Sequence, residues 1–494
     1  MESQNITPTD PQNEDIIENK ELNIWEALIP IIALVIMLFF NVYYIYGDDA
    51  ISGSNQFVLL MGAAVAAIVG FYNKVTYKQM MEEVAKNIKS TSSALIILLL
   101  VGSLAGTWLI SGIIPTMIYY GLQILNPTIF LAACVIICAI ISIATGSSWT
   151  TSATVGIALI GIGDTLGISL GMTAGAVISG AYFGDKMSPL SDTTNLAPAM
   201  AGGELFSHIK YMAYTTIPTI VITLLVFIVI GFTIDTSGTP EISEQLHVID
   251  NAFNISPWLF IVPVLIIGLI IKKTPPVVAL LIGTLLGAIA AVIAQPEIVT
   301  TVAGSDEFTF NSAYKGVMNA ITTKTSIQTS NAELTKLFTS KGMVGMLNTI
   351  WLILCAMVFG GVMDAIGALA RISKALLNLF DSVFGLFAST VVSCLALNVT
   401  ASDQYLAIVV PGRMYAKAYK DKGLAPENLS RTLEDSGTVT SVLIPWNTCG
   451  AYQSGVLGVP VVDYFFFAIF NWLSPFMTLL FAAFRIKIKQ LAKN

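Results

Sequence analysis

The chain has 494 residues, of which 55% are hydrophobic and 11% charged, and its formal net charge is −7. An average soluble domain is about 25% charged, and a soluble protein of this length could not bury so much apolar surface in its cores. The composition therefore excludes an ordinary soluble enzyme and indicates that lipid is the solvent for most of the chain.

The first segment, residues 1–24, is acidic, contains a single lysine and shows almost no apolar periodicity. Such a composition predicts a solvated, disordered tail, which we expect on the cytoplasmic side. The segment has no basic n-region and is followed by a full-length apolar run, so a cleaved signal peptide is not expected.

Apolar runs of about 20 residues, long enough to cross a bilayer, follow along the whole chain. They predict an all-α polytopic membrane protein with about 10 to 13 membrane segments, several of them broken by small or polar residues. The runs lie at about 26–46, 57–73, 93–111, 128–145, 150–163 with 168–183, 208–233, 258–272, 276–294, 345–363, 383–397, 402–416, 432–444 and 461–484. Between two of these runs, residues 74–89 have an amphipathic pattern that predicts a separate connector lying in the membrane interface.

The two halves of the chain resemble each other. Trp25–Pro30 matches Trp258–Pro263, and residues Gly184, Ser188, Leu190, Gly202 and Tyr211 recur in order as Gly437, Ser441, Leu443, Gly455 and Tyr464. These matches predict two transmembrane repeats at residues 25–233 and 258–484, joined by a linker at 234–257. The second repeat carries an insertion around residues 322–344.

Basic residues indicate how the halves sit in the membrane. The segment 74–89 has four lysines and the tail 485–494 is basic, whereas the loop 47–56 and the linker 234–257 have no Lys or Arg. The positive-inside rule therefore predicts two cytoplasmic termini, an extracytoplasmic linker and inverted repeats in the bacterial cytoplasmic membrane. Four lysines within residues 312–344 count against the inversion, although long loops cross membranes largely regardless of charge.

Four polar breaks interrupt the apolar runs, two in each half, at residues 144–152, 184–195, 397–404 and 437–448. A break at bilayer depth survives only where it lines a cavity or binds a ligand, and paired breaks form the substrate sites of repeat transporters. Their oxygen-rich composition suits Na+. The candidate ion-coordinating residues are Thr145, Ser147, Ser148, Thr193, Thr194, Asn195, Asn398, Thr400, Ser402, Asn447 and Thr448.

Three aspartates in these breaks are the candidate coupling carboxylates: Asp185, Asp192 and Asp403. A charge at membrane depth is costly, so a functional or paired role is the default interpretation. Structural alternatives stay open, because Asp185 could simply pair with Lys186 and Asp192 could be a helix N-cap. We predict a Na+ site formed by Asp192, Asn195, Asn398 and Asp403.

A second set of charged residues, Lys186, Arg431, Glu434 and Asp435, is predicted to form a charge or gating network. At the breaks, burial favours the protonated carboxyl and arriving Na+ favours the ionised form, so the two ions compete for one site. Two such carboxylates would permit more than one proton per Na+.

Other functions fit less well. No nucleophile, metal or acid–base motif supports a membrane enzyme, and no phosphate-binding loop supports a primary pump. A channel could use the same oxygen-lined breaks, and only saturable exchange would exclude it. No cofactor and no nucleic-acid partner is expected, a homodimer is left open, and the five cysteines are expected to pack as small hydrophobic residues.

Four motifs resemble those of the NhaC family of Na+/H+ antiporters: Gly180–Pro198, Gly106–Gly121, Ser430–Thr438 and Pro445–Tyr452. The resemblance covers about residues 25–484. It implies a secondary transporter of the ion-transporter superfamily, with inverted repeats, re-entrant hairpins and broken helices. A close branch resembles malate/lactate antiporters, so exchange of proton-coupled malate for Na+-coupled lactate is the alternative to plain Na+/H+ exchange.

Overall fold

The structure is a computed structural model that describes residues 22–46, 53–124, 126–234, 242–272, 274–377 and 382–491. Almost all of the acidic segment 1–24 lies outside the described residues, as do parts of the loop 47–56 and of the linker 234–257. The last three residues of the basic tail 485–494 also lie outside them.

All the regular elements of the first half are helices, within the residues that the structure describes. Its helices begin at residues suited to capping: Asn23 and Glu26 form a capping box at α1, and Asn126 caps α5 just before Pro127. The helices are α1 (Ile24–Phe40), α2 (Ser54–Tyr72), α3 (Tyr77–Ile110), α4 (Ile113–Ile124), α5 (Pro127–Thr145), α6 (Ser148–Thr151), α7 (Ile157–Thr165), α8 (Leu170–Met187), α9 (Asp192–Ala201) and α10 (Leu205–Thr233). A π-helix extends α1 over Asn41–Tyr46, and another joins α6 to α7 over Ser152–Gly156.

The second half is also helical, with one small exception. Its helices are α11 (Ile242–Ala252), α12 (Ile261–Ile271), α13 (Pro276–Ala294), α14 (Pro296–Ala303), α15 (Phe310–Thr322), α16 (Ala332–Leu337), α17 (Leu347–Ala365), α18 (Ala368–Leu377), α19 (Val383–Thr400), α20 (Gln404–Asp421), α21 (Pro426–Leu433), α22 (Thr448–Leu457), α23 (Val461–Tyr464) and α24 (Ile469–Ala483). Short 3₁₀ turns lie at Pro257–Phe260, Met343–Met346 and Ser441–Leu443, and a π-helix lies at Glu434–Thr438. Within the predicted insertion, β1 (Thr325–Ser326) pairs antiparallel with β2 (Thr339–Ser340).

Eight described helices are long and apolar enough to cross a membrane, or nine if the sharply bent pair Ser243–Ala252 and Pro257–Ile271 is one span. This confirms an all-α polytopic membrane protein. The larger number expected from the sequence counted shorter helices that adjoin the polar breaks. The inverted repeat stays a prediction.

The segment 74–89 is not a separate interfacial connector, so that expectation was wrong. Thr76 and Gln79 form a capping box at the start of α3, which then runs for 34 residues without interruption to Ile110. The polar stretch Lys89–Ser93 contains no helix breaker, and an amphipathic turn can continue directly into an apolar span.

The helices pack into two groups. The α3 group contains α1, α2, α3, α12, α13, α14, α15 and α17, and α3 packs against both α13 and α17. The α8 group contains α5, α8, α9, α10, α19, α20, α21 and α24, and its most extensive contact joins α5 to α8.

Glycines allow backbones to touch within each group. A Cβ added to Gly180 of α8 would lie 2.2 Å from the carbonyl oxygen of Val135 in α5, and one added to Gly106 of α3 would lie 1.8 Å from that of Ala320 in α15. Small residues at such crossings are the usual means of close helix packing in membranes.

Candidate functional site

The first break lies between α5 and α6. Gly146, with φ 69°, ends α5 in the left-handed conformation that favours glycine, and Ser147 then caps α6 by accepting a hydrogen bond from the Thr150 amide. A π-helix follows at once. The helix is thus interrupted at this break, as the sequence predicts.

The second break of the first half follows α8 and is tied to the first one. Asp185, near the end of α8, accepts hydrogen bonds at its Oδ2 from the amide (3.1 Å) and the hydroxyl (2.7 Å) of Ser148. A carboxylate at a helix N-terminus is stabilised there by the helix dipole. Ser191, and not Asp192, is the N-cap of α9, so Asp192 is the first residue of that helix.

The breaks of the second half are joined in a similar way. Asp403 caps α20, because its Oδ1 accepts from the amides of Tyr405 (2.9 Å) and Leu406 (3.1 Å). Ser402 before it has φ 58°, and its carbonyl accepts from the amide of Thr448 at 2.9 Å. The end of α19, the start of α20 and the start of α22 therefore meet at one place.

Asn398 links these segments to each other through hydrogen bonds. Its side-chain amide donates to the Gly437 carbonyl (2.8 Å) and to the Thr440 hydroxyl (3.0 Å). Its main-chain carbonyl accepts a hydrogen bond from the side-chain amide of Asn447 (3.0 Å). Asn398 and Asn447 are fully buried. Their amides satisfy backbone groups that a broken helix would otherwise leave without partners.

An aromatic contact joins the two halves. The rings of Trp149 and Tyr452 stack at 4.0 Å, and the Tyr452 hydroxyl donates to the Trp149 carbonyl at 3.1 Å. This contact brings the α6 break of the first half beside α22 of the second half.

A cavity of about 510 Å³ lies where these breaks converge. Asp185, Asp192 and Asp403 all line it, and among the described residues its lining contains no lysine, arginine or histidine. The remaining lining residues are Ser90, Thr91, Ser93, Ala94, Ile97, Thr145, Gly146, Ser147, Trp149, Pro189, Leu190, Ser191, Thr193, Ile270, Thr274, Pro275, Pro276, Gln404, Tyr405 and Thr448. The cavity is acidic and rich in hydroxyl groups, which are the ligands of hard cations.

The predicted site residues divide into two sets. Those in the cavity lining are Thr145, Ser147, Asp185, Asp192, Thr193, Asp403 and Thr448. Those that lie outside the lining are Ser148, Thr194, Asn195, Asn398, Thr400, Ser402 and Asn447. Of the four residues predicted to hold Na+, Asp192 and Asp403 line the cavity, whereas the amide of Asn195 donates to the carbonyls of Pro189 and Ser191.

Sequence reasoning missed the contribution of α3. Ser90, Thr91 and Ser93 line the cavity opposite the breaks. The signal in the sequence was the run Ser90–Ser93 at the start of an apolar span, although the hydroxyls of Ser90 and Thr91 also donate to main-chain carbonyls of the preceding turn. Tyr405 and Gln404, directly after Asp403, were also missed.

The second charged set lies outside the cavity lining and is buried. Lys186 forms an ion pair with Asp435, and the hydroxyls of Thr215 (2.8 Å) and Thr478 donate to the other oxygen of Asp435. The ion pair described for Lys186 is therefore with Asp435 in the other half, and not with the adjacent Asp185.

Arg431 and Glu434 take no part in that ion pair. The guanidinium of Arg431 lies over the ring of Tyr211 at 4.6 Å and near that of Phe481 at 5.9 Å. Among the described residues, its three nitrogens and both carboxylate oxygens of Glu434 have no hydrogen-bond partner. Of the predicted network, Lys186 and Asp435 thus form an ion pair. Arg431 and Glu434 form no side-chain hydrogen bond with a described residue.

Comparisons with known proteins agree on one family. A family model described as the Na+/H+ antiporter family matches residues 180–486. The Na+/H+ antiporter NhaC of Alkalihalophilus pseudofirmus is 38% identical over 423 residues, covering 86% of this chain and 88% of that protein. The NhaC antiporter of Bacillus subtilis is 35% identical over 424 residues, covering 85% and 90%.

A third relative bears a different name. The malate-2H+/Na+-lactate antiporter of Bacillus subtilis is 36% identical over 439 residues and 88% of each chain. The resemblance noted in the sequence is confirmed by these matches, and the chain belongs to the NhaC family of Na+/H+ antiporters.

Proposed function

We propose that this protein exchanges Na+ for H+ across the bacterial cytoplasmic membrane, with the cavity between the helix breaks as its ion site. The observation that carries the proposal is the cavity lining, which combines three carboxylates with several hydroxyl groups and has no basic side chain among the described residues. Such a lining attracts cations and provides groups that can bind either a proton or Na+. The relatives named NhaC are Na+/H+ antiporters by name.

Competition for the carboxylates provides the coupling. The two helix-capping bonds of Asp403 go to Oδ1, and the two bonds from Ser148 go to Oδ2 of Asp185. In each case these bonds engage one oxygen, so the other can face an ion. A bound proton removes the charge that Na+ needs, and bound Na+ disfavours the proton. Exchange is obligatory if the empty, charged site does not move between the two faces.

We place Na+ among Asp185, Asp192 and Asp403, with hydroxyl oxygens from Thr145, Ser147, Thr193 and Thr448. Asn398 and Asn447 would then act as positioning residues, because they fix the broken helix ends that carry the ligands. The scheme requires no cofactor and no covalent chemistry, since Na+ and H+ are the cargo.

The alternative is exchange of malate and lactate, the activity named for one relative. The N-terminal residues Ser191 to Thr193 and Thr448 line the cavity, and helix N-termini can bind a carboxylate. Asp192 and Asp403 already occupy the first turn and the cap of the helices concerned, however, and Lys186 is paired with Asp435. A dicarboxylate would therefore meet uncompensated negative charge, which favours the cation.

The orientation follows the positive-inside rule. The cavity lining includes Ser90 and Thr91 of α3 and Ile270 of α12, which are close in sequence to Lys86, Lys89 and Lys272. If both termini and these lysines are cytoplasmic, the cavity is accessible from the cytoplasm. The two inverted repeats and a homodimer stay predictions.

Proteoliposomes with an imposed pH gradient test the function. Addition of Na+ alone should collapse the gradient with saturation, and malate added outside lactate-loaded vesicles should add nothing. Asp185→Asn should abolish the Na+ response, whereas Asp421→Asn, which changes an exposed carboxylate at the end of α20, should not. If pH changes only when malate and lactate are both present, the carboxylate exchange is correct instead.

A further inference from the structure

A buried charge cluster lies beside the cavity and is not used by the exchange mechanism described above. Its four members, Lys186, Arg431, Glu434 and Asp435, have exposed fractions of 0%, 0%, 0% and 1%. Only Lys186 and Asp435 are joined to each other. Four ionisable groups without solvent are costly within a membrane, so a functional role is the default interpretation.

Glu434 is the most unusual of the four. Both carboxylate oxygens are buried, and neither accepts a hydrogen bond of normal length and angle from a described residue. The side chains close enough to interact with this carboxyl group include the hydroxyl of Thr438, one helical turn further, and the ammonium of Lys186. An isolated buried carboxylate is far more costly than a neutral carboxyl group. Burial without a hydrogen bond of normal geometry therefore favours the protonated form of Glu434 in this conformation.

The backbone at Glu434 departs from regular α-helix geometry. Glu434 is the first residue of the π-helix Glu434–Thr438, which directly follows α21. Single π-turns are rare and frequently occur at functional sites. Arg431 is three residues earlier and has no acceptor for its three nitrogens, so a cation is available to stabilise Glu434 after its proton leaves.

The cluster is connected to the cavity through one peptide unit. Asp185 bonds Ser148 at the cavity, and the next residue, Lys186, bonds Asp435 in the cluster. A change of charge on Asp185 therefore changes the electrostatic energy of Lys186 and of the residues next to it. His208 of α10 forms a hydrogen bond with the hydroxyl of Ser430 in α21.

We propose that Glu434 carries a second transported proton, outside the Na+ cavity, so that more than one proton is exchanged for each Na+. On release, the O–H bond of the Glu434 carboxyl breaks heterolytically, the proton passes to water, and the carboxylate remains beside Arg431 and Lys186. The proposal rests on Na+/H+ exchange at the cavity. It differs from that function by assigning one proton to a group that Na+ does not touch.

The test is the proton-to-Na+ ratio, measured as the reversal point of Na+ flux in proteoliposomes under imposed Na+ and pH gradients. Glu434→Gln and Glu434→Met both remove the titratable group, and Met needs no hydrogen bond in this unpartnered position. Each should still exchange labelled Na+ for Na+, and each should lose one proton per Na+ from the ratio. Glu427→Gln is the matched control in α21, the helix directly before Glu434; its carboxylate is bonded to Lys489, and the variant should keep the parent ratio.

Each outcome is decisive. A ratio equal to that of the parent in either folded variant refutes the second proton site. Loss of labelled Na+ exchange in a folded variant also refutes it, because Glu434 would then bind Na+. Failure of both variants to fold refutes it too, since a group without bonds in this state should be dispensable for the fold. If the parent protein itself moves no protons with Na+, the function of the cavity is wrong, and that result is obtained before any variant is made.

Discussion

Removing the charge of Lys186 should destabilise the protein strongly. Lys186→Met leaves the carboxylate of Asp435 buried with only the hydroxyls of Thr215 and Thr478 as donors. Both members of the ion pair are almost fully buried, at 0% and 1% exposure. Breaking such a pair from one side costs about 3–5 kcal/mol, because an uncompensated charge stays inside. In the pair of Lys489 with Glu427, Lys489 is 46% exposed although Glu427 is 8% exposed, and the Ser207 hydroxyl also donates to Glu427, so Lys489→Met should cost less than Lys186→Met.

The assay is the free energy of unfolding in mixed micelles, measured by titration with a denaturing detergent. The double variant Lys186→Met with Asp435→Leu should recover stability to within about 1–2 kcal/mol of the parent, because two apolar residues remove the buried charges together. The reasoning is refuted if Lys186→Met costs no more than Lys489→Met, or if the double variant is as unstable as the single one.

Three further predictions concern the site and the packing. Asp403→Asn should keep the two capping bonds, with a loss below about 1 kcal/mol, and should lose Na+-driven proton movement in proteoliposomes; full transport would remove this carboxylate from the mechanism. Asn398→Leu should lower the free energy of unfolding by about 1–3 kcal/mol for each backbone group left unsatisfied, and an unchanged value would mean that water replaces the amide. Gly180→Ala should lower the free energy of unfolding through the clash with Val135. The control Gly268→Ala, with open space around the added carbon, should be neutral or stabilising by up to about 1 kcal/mol. Equal effects of the two variants in the unfolding titration would contradict the backbone contact.

Much of the site could be predicted because polar residues are conspicuous in an apolar chain. The breaks near Gly146, Asp192 and Asp403 lie where the sequence placed them, since glycine, serine and aspartate end and begin helices by local rules. Local rules also account for α1, α5 and most of the long spans.

The partners of the charged residues could not be predicted. Lys186 and Asp435 are 249 positions apart, and neither hydropathy nor spacing indicates that α8 and the π-helix meet. Adjacency in the sequence suggested Asp185 as the partner of Lys186, but successive residues of a helix point in different directions. The role of Ser90 and Thr91 was hidden for the same reason, because their neighbours in the cavity come from distant helices.

The glycine contacts determine which parts of the molecule can move. Where Gly180 meets Val135 and Gly106 meets Ala320, main chain touches main chain, so neither helix can rotate or slide past its neighbour without collision. The cavity lies between α3, which supplies Ser90, Thr91 and Ser93, and the helix breaks. A Cβ added to Gly360 of α17 would lie 2.4 Å from the carbonyl oxygen of Ala401, two residues before Asp403, so movement of the α3 group past the α8 group would have to rearrange the break that carries this carboxylate.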